Sequence, residues 1–346
     1  MALTSAPNVP EFPPQVVLNS PVSAATGPDP NTVARERRIH CFDDPDDDAR
    51  QALLAAWGAN RPLLVRGEPG VGKTQLAEAA AFAMNRMFLT VTVDSRTESR
   101  DLLYTFDAVR RLAEAQLQGA LQAAEDERLE ERRAKLDAKR FVVPGQLWWA
   151  FDWQSAWTQA WDSNTPRVST EENWKRSNGA VLLIDEIDKA EADVPNGLLE
   201  ALGSREFQPP GGLHKVSQTG VAPLIVITTN EERSLPEPFL RRCVVLHLRL
   251  PGDDNDLQNE ELREFLVRRG QAHFPQADKA MLTLAATDLL KDRHAAFKAG
   301  IRPLPGQAEY LDLVRAVLAT APQDPVKQRA NLIAFSKFIL RKQGTP

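Results

Sequence analysis

The sequence has 346 residues, 42% of them hydrophobic and 26% charged, with a formal net charge of -5 and a pI near 5.7. This composition is ordinary for globular proteins, and the length predicts two domains. The acidic balance argues against attraction of the whole chain to nucleic acid. The two cysteines, Cys41 and Cys243, lie far apart and favour a reducing compartment. No apolar run reaches the roughly 18 residues that cross a bilayer, and the first residues lack a signal-peptide pattern, so we expect a cytoplasmic protein.

The N-terminal region predicts a tail followed by a helix. Residues 1–38 are rich in Pro, Ser, Asn and Thr and lack a periodic apolar pattern, which predicts a flexible tail. The acidic run Asp43–Asp48 precedes an apolar-periodic stretch that ends near Trp57, and such an order is typical of a helix N-terminus. The short apolar run Pro62–Arg66 then predicts a strand.

The eight residues that follow this strand, GEPGVGKT, match the phosphate-binding pattern G-x-x-x-x-G-K-[S/T]. They precede an alanine-rich helix predicted over Thr74–Met84, whose N-terminus favours an anion. Glycines let the backbone amides surround phosphates, Lys73 can reach the outer phosphates, and the Thr74 hydroxyl can bind Mg²⁺. The sequence therefore predicts a site for ATP and Mg²⁺ that is formed by Gly67, Glu68, Pro69, Gly70, Val71, Gly72, Lys73, Thr74 and Gln75.

A strand is predicted at Phe88–Val93, and a mostly helical stretch follows over Thr97–Arg140. The part of this stretch from about residue 107 to 140 is a charged helical insertion, since Glu125–Arg140 is almost entirely charged. A charge run of this kind is most often a solvated helical face.

Tryptophan is concentrated in the segment 147–174. A spacing of four residues places Trp149, Trp153, Trp157 and Trp161 on one face of a predicted helix. This face is either a hydrophobic seam packed on the core or a surface for a protein partner or a neighbouring subunit.

Polar residues end two later strands. Asp185 and Glu186 follow the apolar run Val181–Ile184, and Asn230 ends the run that begins at Leu224. In a parallel sheet these strand ends meet at the edge where ligands bind. We predict that Asp185 holds Mg²⁺ through water, that Glu186 polarises the attacking water, and that Asn230 orients it.

A last strand is predicted at Val244–Leu248, and only helical patterns follow Asp253. The Pro251–Asp253 turn therefore divides a core of residues 39–251 from a helical lid of residues 252–346. The predicted lid helices are Glu260–Arg269, Ala280–Ala296, Gln307–Ala321 and Val326–Arg341.

The chain resembles the AAA+ ATPases and, within them, the MoxR-like group. The resemblance is carried by Gly67–Thr74 as Walker A, Val181–Glu186 as Walker B and Thr228–Asn230 as sensor 1. Pro195–Leu202 is similar to the MoxR-like helix after Walker B, and Leu235–Cys243 to the arginine-finger segment. The resemblance implies an α/β P-loop NTPase fold, with a parallel sheet core flanked by helices and a small all-helical lid.

The resemblance also implies a homo-oligomeric ring, expected to be a hexamer, in which Arg242, or else Arg241, reaches the ATP of the neighbouring subunit. Arg302 is the nearest match to the arginine that the lid of this family supplies. The implied function is ATP hydrolysis that remodels or activates a protein client, such as a protein with a von Willebrand factor A domain.

Three other functions are compatible with a nucleotide site. A nucleic-acid motor or loader, such as a restriction or replication ATPase, ranks second, because acids dilute the basic clusters Arg110–Arg111 and Arg132–Arg133. A non-hydrolysing switch does not explain why both Lys73 and Glu186 are present. A small-molecule kinase leaves the arginine-finger segment without a role.

Overall fold

The computed structural model describes residues 9–18, 38–42, 47–120, 134–168, 176–191, 193–254 and 256–341. Its strands are β1 (Gln15–Leu18), β2 (Arg38–Cys41), β3 (Leu63–Arg66), β4 (Met87–Thr92), β5 (Tyr104–Phe106), β6 (Val142–Pro144), β7 (Ala180–Asp185), β8 (Glu206–Phe207), β9 (Val216–Ser217), β10 (Leu224–Thr229) and β11 (Val244–His247). Its helices are α1 (Asp48–Ala59), α2 (Lys73–Ala83), α3 (Ala108–Ala120), α4 (Gln146–Phe151), α5 (Trp153–Asp162), α6 (Asp193–Ser204), α7 (Glu237–Leu240), α8 (Glu260–His273), α9 (Lys279–Lys298), α10 (Gln307–Thr320) and α11 (Pro325–Ile339).

The centre of the molecule is a five-stranded sheet in the order β11-β3-β10-β7-β4, and its strands run parallel. Its inner strands are continuous apolar runs because both faces of the sheet are covered. Leu182 and Ile184 of β7 pack in the cluster that holds α4–α6, whereas Val181 and Leu183 pack in the cluster that holds α1 and α2. The predicted parallel core is therefore confirmed, and the carboxyl ends of β3, β7 and β10 share one edge.

The helices after the sheet form a separate packed group. Side chains of α8–α11, among them Leu266, Leu289, Tyr310 and Leu332, form a third buried cluster. The helical pattern predicted after Asp253 agrees with the described residues, and each predicted helix differs from the observed one by a few residues at its ends. Within the described part of the chain, no helix is long and apolar enough to cross a membrane.

The prediction of a flexible tail over residues 1–38 is wrong for the described residues 15–18. β1 pairs antiparallel with β2, and Val16 and Leu18 are buried against α2 and the sheet. The alternation of apolar side chains in β1 is only four residues long, which is too short to stand out in a proline-rich context. Most of the acidic run predicted to precede α1 lies outside the described residues, but Asp47 caps this helix by accepting from the Ala49 amide at 2.9 Å.

The prediction of mostly helix over Thr97–Arg140 is also wrong in part. β5 pairs antiparallel with β6, in the register Tyr104 to Pro144. β5 contains aromatic and β-branched residues, which favour strands when a partner strand is available. The helix α3 lies within the predicted insertion, and residues 121–133 of its charged part lie outside the described residues.

The tryptophan segment forms two helices rather than one continuous face. Asp152 ends α4 and caps α5, where its carboxylate accepts from the Ser155 amide at 3.2 Å. Trp149 and Trp153 are buried, with ring centroids 4.9 Å apart, whereas Trp161 is 67% exposed. The first tryptophans are thus the hydrophobic seam that the sequence offered as one of two possibilities, and Trp174 lies outside the described residues.

Candidate nucleotide-binding site

The loop between β3 and α2 is shaped by glycines. Gly70 has φ +79°, a conformation that side chains rarely adopt, and a Cβ added there would lie 3.0 Å from the Cβ of Ala308 in α10. A Cβ added to Gly67 would lie 2.3 Å from the carbonyl oxygen of Leu248. Glycine is therefore required at both positions, because the residue after β11 and the lid approach the loop closely.

Lys73 links this loop to the end of β10. Its Nζ donates to the carbonyl oxygens of Gly67 and Glu68 at 2.7 and 2.9 Å, and to Oδ1 of Asn230 at 2.7 Å. Burial lowers the pKa of Lys73, and the carboxylates of Asp185 and Asp188 oppose that shift. The ammonium group thus lies between the loop and Asn230, where a phosphate held by the loop would compete for its hydrogen bonds.

Asp185 lies at the carboxyl end of β7, beside the first turn of α2. The Thr74 hydroxyl donates to Oδ2 of Asp185 at 3.2 Å, and the Thr228 hydroxyl donates to its Oδ1. The parallel pairing of β7 with β10 brings these groups together, as the sequence predicts. A hydroxyl and a carboxylate side by side suit Mg²⁺, which takes oxygen ligands and retains several waters.

Glu186 has a left-handed backbone, with φ 61° and ψ 45°. A non-glycine residue in this region is uncommon and is often found at a functional site. Its amide donates to Oγ1 of Thr228 at 3.0 Å, and its carboxylate accepts from Nζ of Lys189 at 2.7 Å. The hydrogen bond with Glu186 raises the pKa of Lys189. Backbone and side chain of Glu186 are therefore both fixed at the sheet edge.

Asp188 is a site residue that the sequence analysis missed. It is 2% exposed, and its carboxylate accepts from the amides of Asn230 and Glu232 at 3.2 and 2.9 Å. These bonds hold the turn after β10 and so place the Asn230 side chain. The signal in the sequence was a third acid two residues after Glu186, set between an isoleucine and a lysine.

A cavity of about 280 Å³ lies at the sheet edge, and the side chains of Lys73, Thr74, Asp185, Glu186 and Asn230 face it. Helix α10 closes its far side with Gln307, Ala308 and Leu311. Among the predicted binding residues, Gly67, Glu68 and Val71 do not line this cavity, although the first two accept hydrogen bonds from Lys73. The predicted residues that do line it are Pro69, Gly70, Gly72, Lys73, Thr74, Gln75, Asp185, Glu186 and Asn230.

A second cavity, of about 490 Å³, adjoins the first and shares Gly72, Gln75 and Gln307 with it. Its apolar walls come from distant segments, among them Ile39, Cys41, Val71, Leu248, Leu250 and Phe265. Such walls suit a flat apolar ring such as a nucleotide base. His40 also lines it, and burial together with Arg269 and His273 lowers the pKa of His40 to about 3, so this ring is neutral at physiological pH.

Residues 62–260 match the model of a family described as AAA domain (dynein-related subfamily). The chain belongs to this family.

No curated protein significantly matches the sequence of this AAA protein. Similar solved structures include a mutant of RuvB from Thermotoga maritima, with 14% identity, a TM-score of 0.43 and coverage of 83% of this chain and 68% of that chain. They also include NtrX from Brucella abortus in complex with ADP, with 15% identity, a TM-score of 0.41 and coverage of 80% of this chain and 51% of that chain. The match therefore spans about half the length of NtrX.

The two arginines after α7 lie on the surface of this AAA domain and do not line either cavity. Arg241 pairs with Glu237 at 3.0 Å, and both side chains are largely exposed. Within the described residues, the Arg242 side chain makes no such ion pair, and its carbonyl accepts from Nε of Arg61 at 3.0 Å. The structure thus brings neither arginine to the nucleotide site of its own chain.

Glu68 of the phosphate loop is bound by two arginines of the lid, which the sequence analysis did not connect. Nη2 of Arg293 donates to Oε2 of Glu68 at 3.1 Å, and Nη1 of Arg302 donates to Oε1 at 2.7 Å. Arg293 is 5% exposed, and it also donates to Asp254 at 2.7 Å and to the Pro305 carbonyl at 2.9 Å. Arg302, proposed for the lid arginine of the family, is thus bound to Glu68 and does not line the phosphate cavity.

We expect Arg293→Met to lower the free energy of unfolding by about 3 kcal/mol, because it leaves the carboxylates of Glu68 and Asp254 without their buried partner. Glu68→Gln is expected to cost about 1 kcal/mol, and the double variant less than the sum of the two. Urea unfolding of the four proteins measures this coupling. Arg263→Met, which removes a largely solvent-accessible lid ion pair with Glu260, is the control and is expected to cost at most about 1 kcal/mol. Strictly additive effects of Glu68→Gln and Arg293→Met would contradict this account.

Proposed function

We propose that this AAA protein hydrolyses ATP and uses the energy to remodel or activate a protein client, as a member of the MoxR-like group. The observation that carries the proposal is the convergence of Lys73, Thr74, Asp185, Glu186 and Asn230 on one cavity at the sheet edge. These are the residue types that phosphoryl transfer from ATP to water requires, namely a cationic side chain that binds the phosphates, oxygen ligands for Mg²⁺, a base and an orienting amide.

In the proposed reaction, the loop amides and Lys73 bind the phosphates of ATP, and the apolar cavity beside the loop takes the base. Thr74 and Asp185 would hold Mg²⁺, the latter through water, and the ion supplies positive charge to the phosphate oxygens. Glu186 accepts the proton of the attacking water, and Asn230 orients that water. Lys189 keeps the Glu186 carboxylate in place through its 2.7 Å hydrogen bond.

We propose that the active form is a ring, with six subunits as in the MoxR-like group, in the cytoplasm. Arg242 is exposed and lines neither cavity of the nucleotide site described in its own chain, so its guanidinium is available to a neighbouring subunit. In this proposal, the core (39–251) and the lid (252–346) move relative to each other after hydrolysis. α10 lies against Gly70 of the phosphate loop, so loss of the terminal phosphate would change the contact between the loop and the lid.

Capture of the client tests the remodelling proposal. A Glu186→Gln protein in ATP is expected to retain its client, because the ring stays in the ATP-bound state, and mass spectrometry then identifies the retained proteins. Lys73→Ala is the matched control, since it loses the ammonium group that binds the phosphates of ATP and is therefore expected to retain no client. Retention of protein clients, including those with von Willebrand factor A domains, supports the proposal. Retention of DNA with a strong dependence on salt would instead make the protein a nucleic-acid motor.

A further inference from the structure

A cavity of about 400 Å³ lies at the amino-terminal edge of the central sheet, opposite the nucleotide site. Pro62, Arg86 and Pro223, which line it, lie immediately before β3, β4 and β10. Because these strands are parallel, their beginnings meet at one edge. The cavity is thus separated from the nucleotide site by the length of the strands, about 13–20 Å at about 3.3 Å per residue.

Three arginines line this cavity, and no aspartate or glutamate among the described residues does. Arg86 donates to the Ala222 carbonyl at 3.0 Å, and Arg205 donates to the Asn60 carbonyl at 3.1 Å. Arg61 is the third. In the described part of the chain, none of the three forms an ion pair with a carboxylate, and each guanidinium has five N–H donors, so most donors remain available. Burial lowers the pKa of Arg86, which reflects a charge that has lost water without gaining an anion.

The remaining walls of the cavity are largely apolar. Trp57 and Phe151 line it, and Phe151 is 2% exposed. Gln218 adds a side-chain oxygen that is buried without a hydrogen-bond partner among the described residues. The volume lies within the range of small-molecule sites, which combine apolar walls with a few polar groups.

We propose that this cavity binds a small phosphorylated molecule with a flat apolar group. Guanidinium groups match phosphate oxygens with paired N–H donors, and Arg61, Arg86 and Arg205 supply that cation set. The flat group lies against the partly exposed Trp57, which favours stacking of an apolar ring, while the buried Phe151 contributes to the apolar wall.

The site has a direct connection to the segment that carries Arg241 and Arg242. Arg61 donates through Nε to the Arg242 carbonyl at 3.0 Å, and through Nη2 to the Arg241 carbonyl. A phosphate in the cavity competes for these donors and so changes how this segment is held. This coupling rests on the proposed ATPase function, whereas binding of the phosphorylated ligand does not.

Calorimetric titration with phenyl phosphate tests the site. The protein carries Lys73→Ala, so that the phosphate loop does not compete for the probe. We expect saturable binding of phenyl phosphate, weaker binding of inorganic phosphate and none of phenol. Arg205→Gln in the same background is expected to weaken binding about tenfold or more, the effect of losing a charge-assisted hydrogen bond. Arg329→Gln, which removes an exposed arginine of α11, is the control and leaves binding unchanged.

The proposal is overturned if phenyl phosphate does not bind saturably, or if it binds equally well to the Arg205→Gln and Arg61→Gln proteins, whose thermal unfolding verifies that they fold. Trp57→Phe is expected to remove a fluorescence change on binding.

The coupling between this cavity and the nucleotide site has a test of its own. Phenyl phosphate is expected to alter ATP turnover of the wild-type protein and not of Arg205→Gln. Unchanged turnover with intact binding refutes the coupling alone, and a protein that binds the probe but never hydrolyses ATP refutes the proposed function instead.

Discussion

Glu186→Gln is expected to lower the turnover of ATP by about 10²–10⁴-fold, the contribution typical of a general base. The reason is that the amide cannot accept a proton from the attacking water, although it occupies the same position at the end of β7. Affinity for ATP is expected to stay within about threefold of the wild type, because Glu186 does not contribute a cation or a loop amide to the phosphates. Phosphate release under single-turnover conditions and equilibrium binding of a fluorescent ATP analogue measure the two effects separately.

Glu191→Gln is the matched control for this prediction, since Glu191 is an exposed acid five residues further along. Its turnover is expected to equal that of the wild type. Lys189→Met provides a second comparison, because it removes the 2.7 Å hydrogen bond that orients Glu186 and leaves the carboxylate itself. An intermediate loss, about tenfold, is expected for an orienting partner. Wild-type turnover by Glu186→Gln would assign the base to another residue.

The sequence predicted the parts of the site whose residues are adjacent along the chain. The phosphate loop, the acids after β7 and the amide after β10 each lie within a few residues of a strand end, and parallel pairing of β7 with β10 then brings them together. The fold class followed from the same strands, because continuous apolar runs with intervening helices dictate a covered parallel sheet.

The parts that sequence reasoning missed depend on contacts between distant segments. Glu68 and Arg293 are 225 residues apart, and no local pattern links a loop glutamate to a lid arginine. The 490 Å³ cavity beside the phosphate loop likewise combines β2, the segment after β11 and α8. β2 belongs to a pair of four-residue strands whose pattern was too short to recognise. In both cases packing of the lid on the core, rather than periodicity, decides which side chains meet.

Arg242→Ala is expected to lower ATP turnover by about 10³-fold or more, the range known for arginines that act on a neighbouring active site. The effect arises because guanidinium stabilises the charge on the transferring phosphoryl group. Arg241→Ala is the matched control, because Arg241 is the adjacent arginine and is already paired with Glu237 at 3.0 Å. We expect it to lose less than about threefold, since an exposed pair of this kind contributes at most about 1 kcal/mol.

Mixing two inactive variants distinguishes action on a neighbour from action within one chain. A subunit with Arg242→Ala retains Glu186, and a subunit with Glu186→Gln retains Arg242. Where the first binds ATP and the second supplies the arginine, the active site at their interface has both residues. We therefore expect the mixture to recover a substantial part of wild-type turnover, measured as phosphate release against the mixing ratio, whereas either variant alone stays inactive. Because neither arginine lines the nucleotide cavity of its own chain, recovery on mixing is the result that the exposed position of Arg242 demands. A mixture no more active than its components would remove Arg242 from the reaction between subunits.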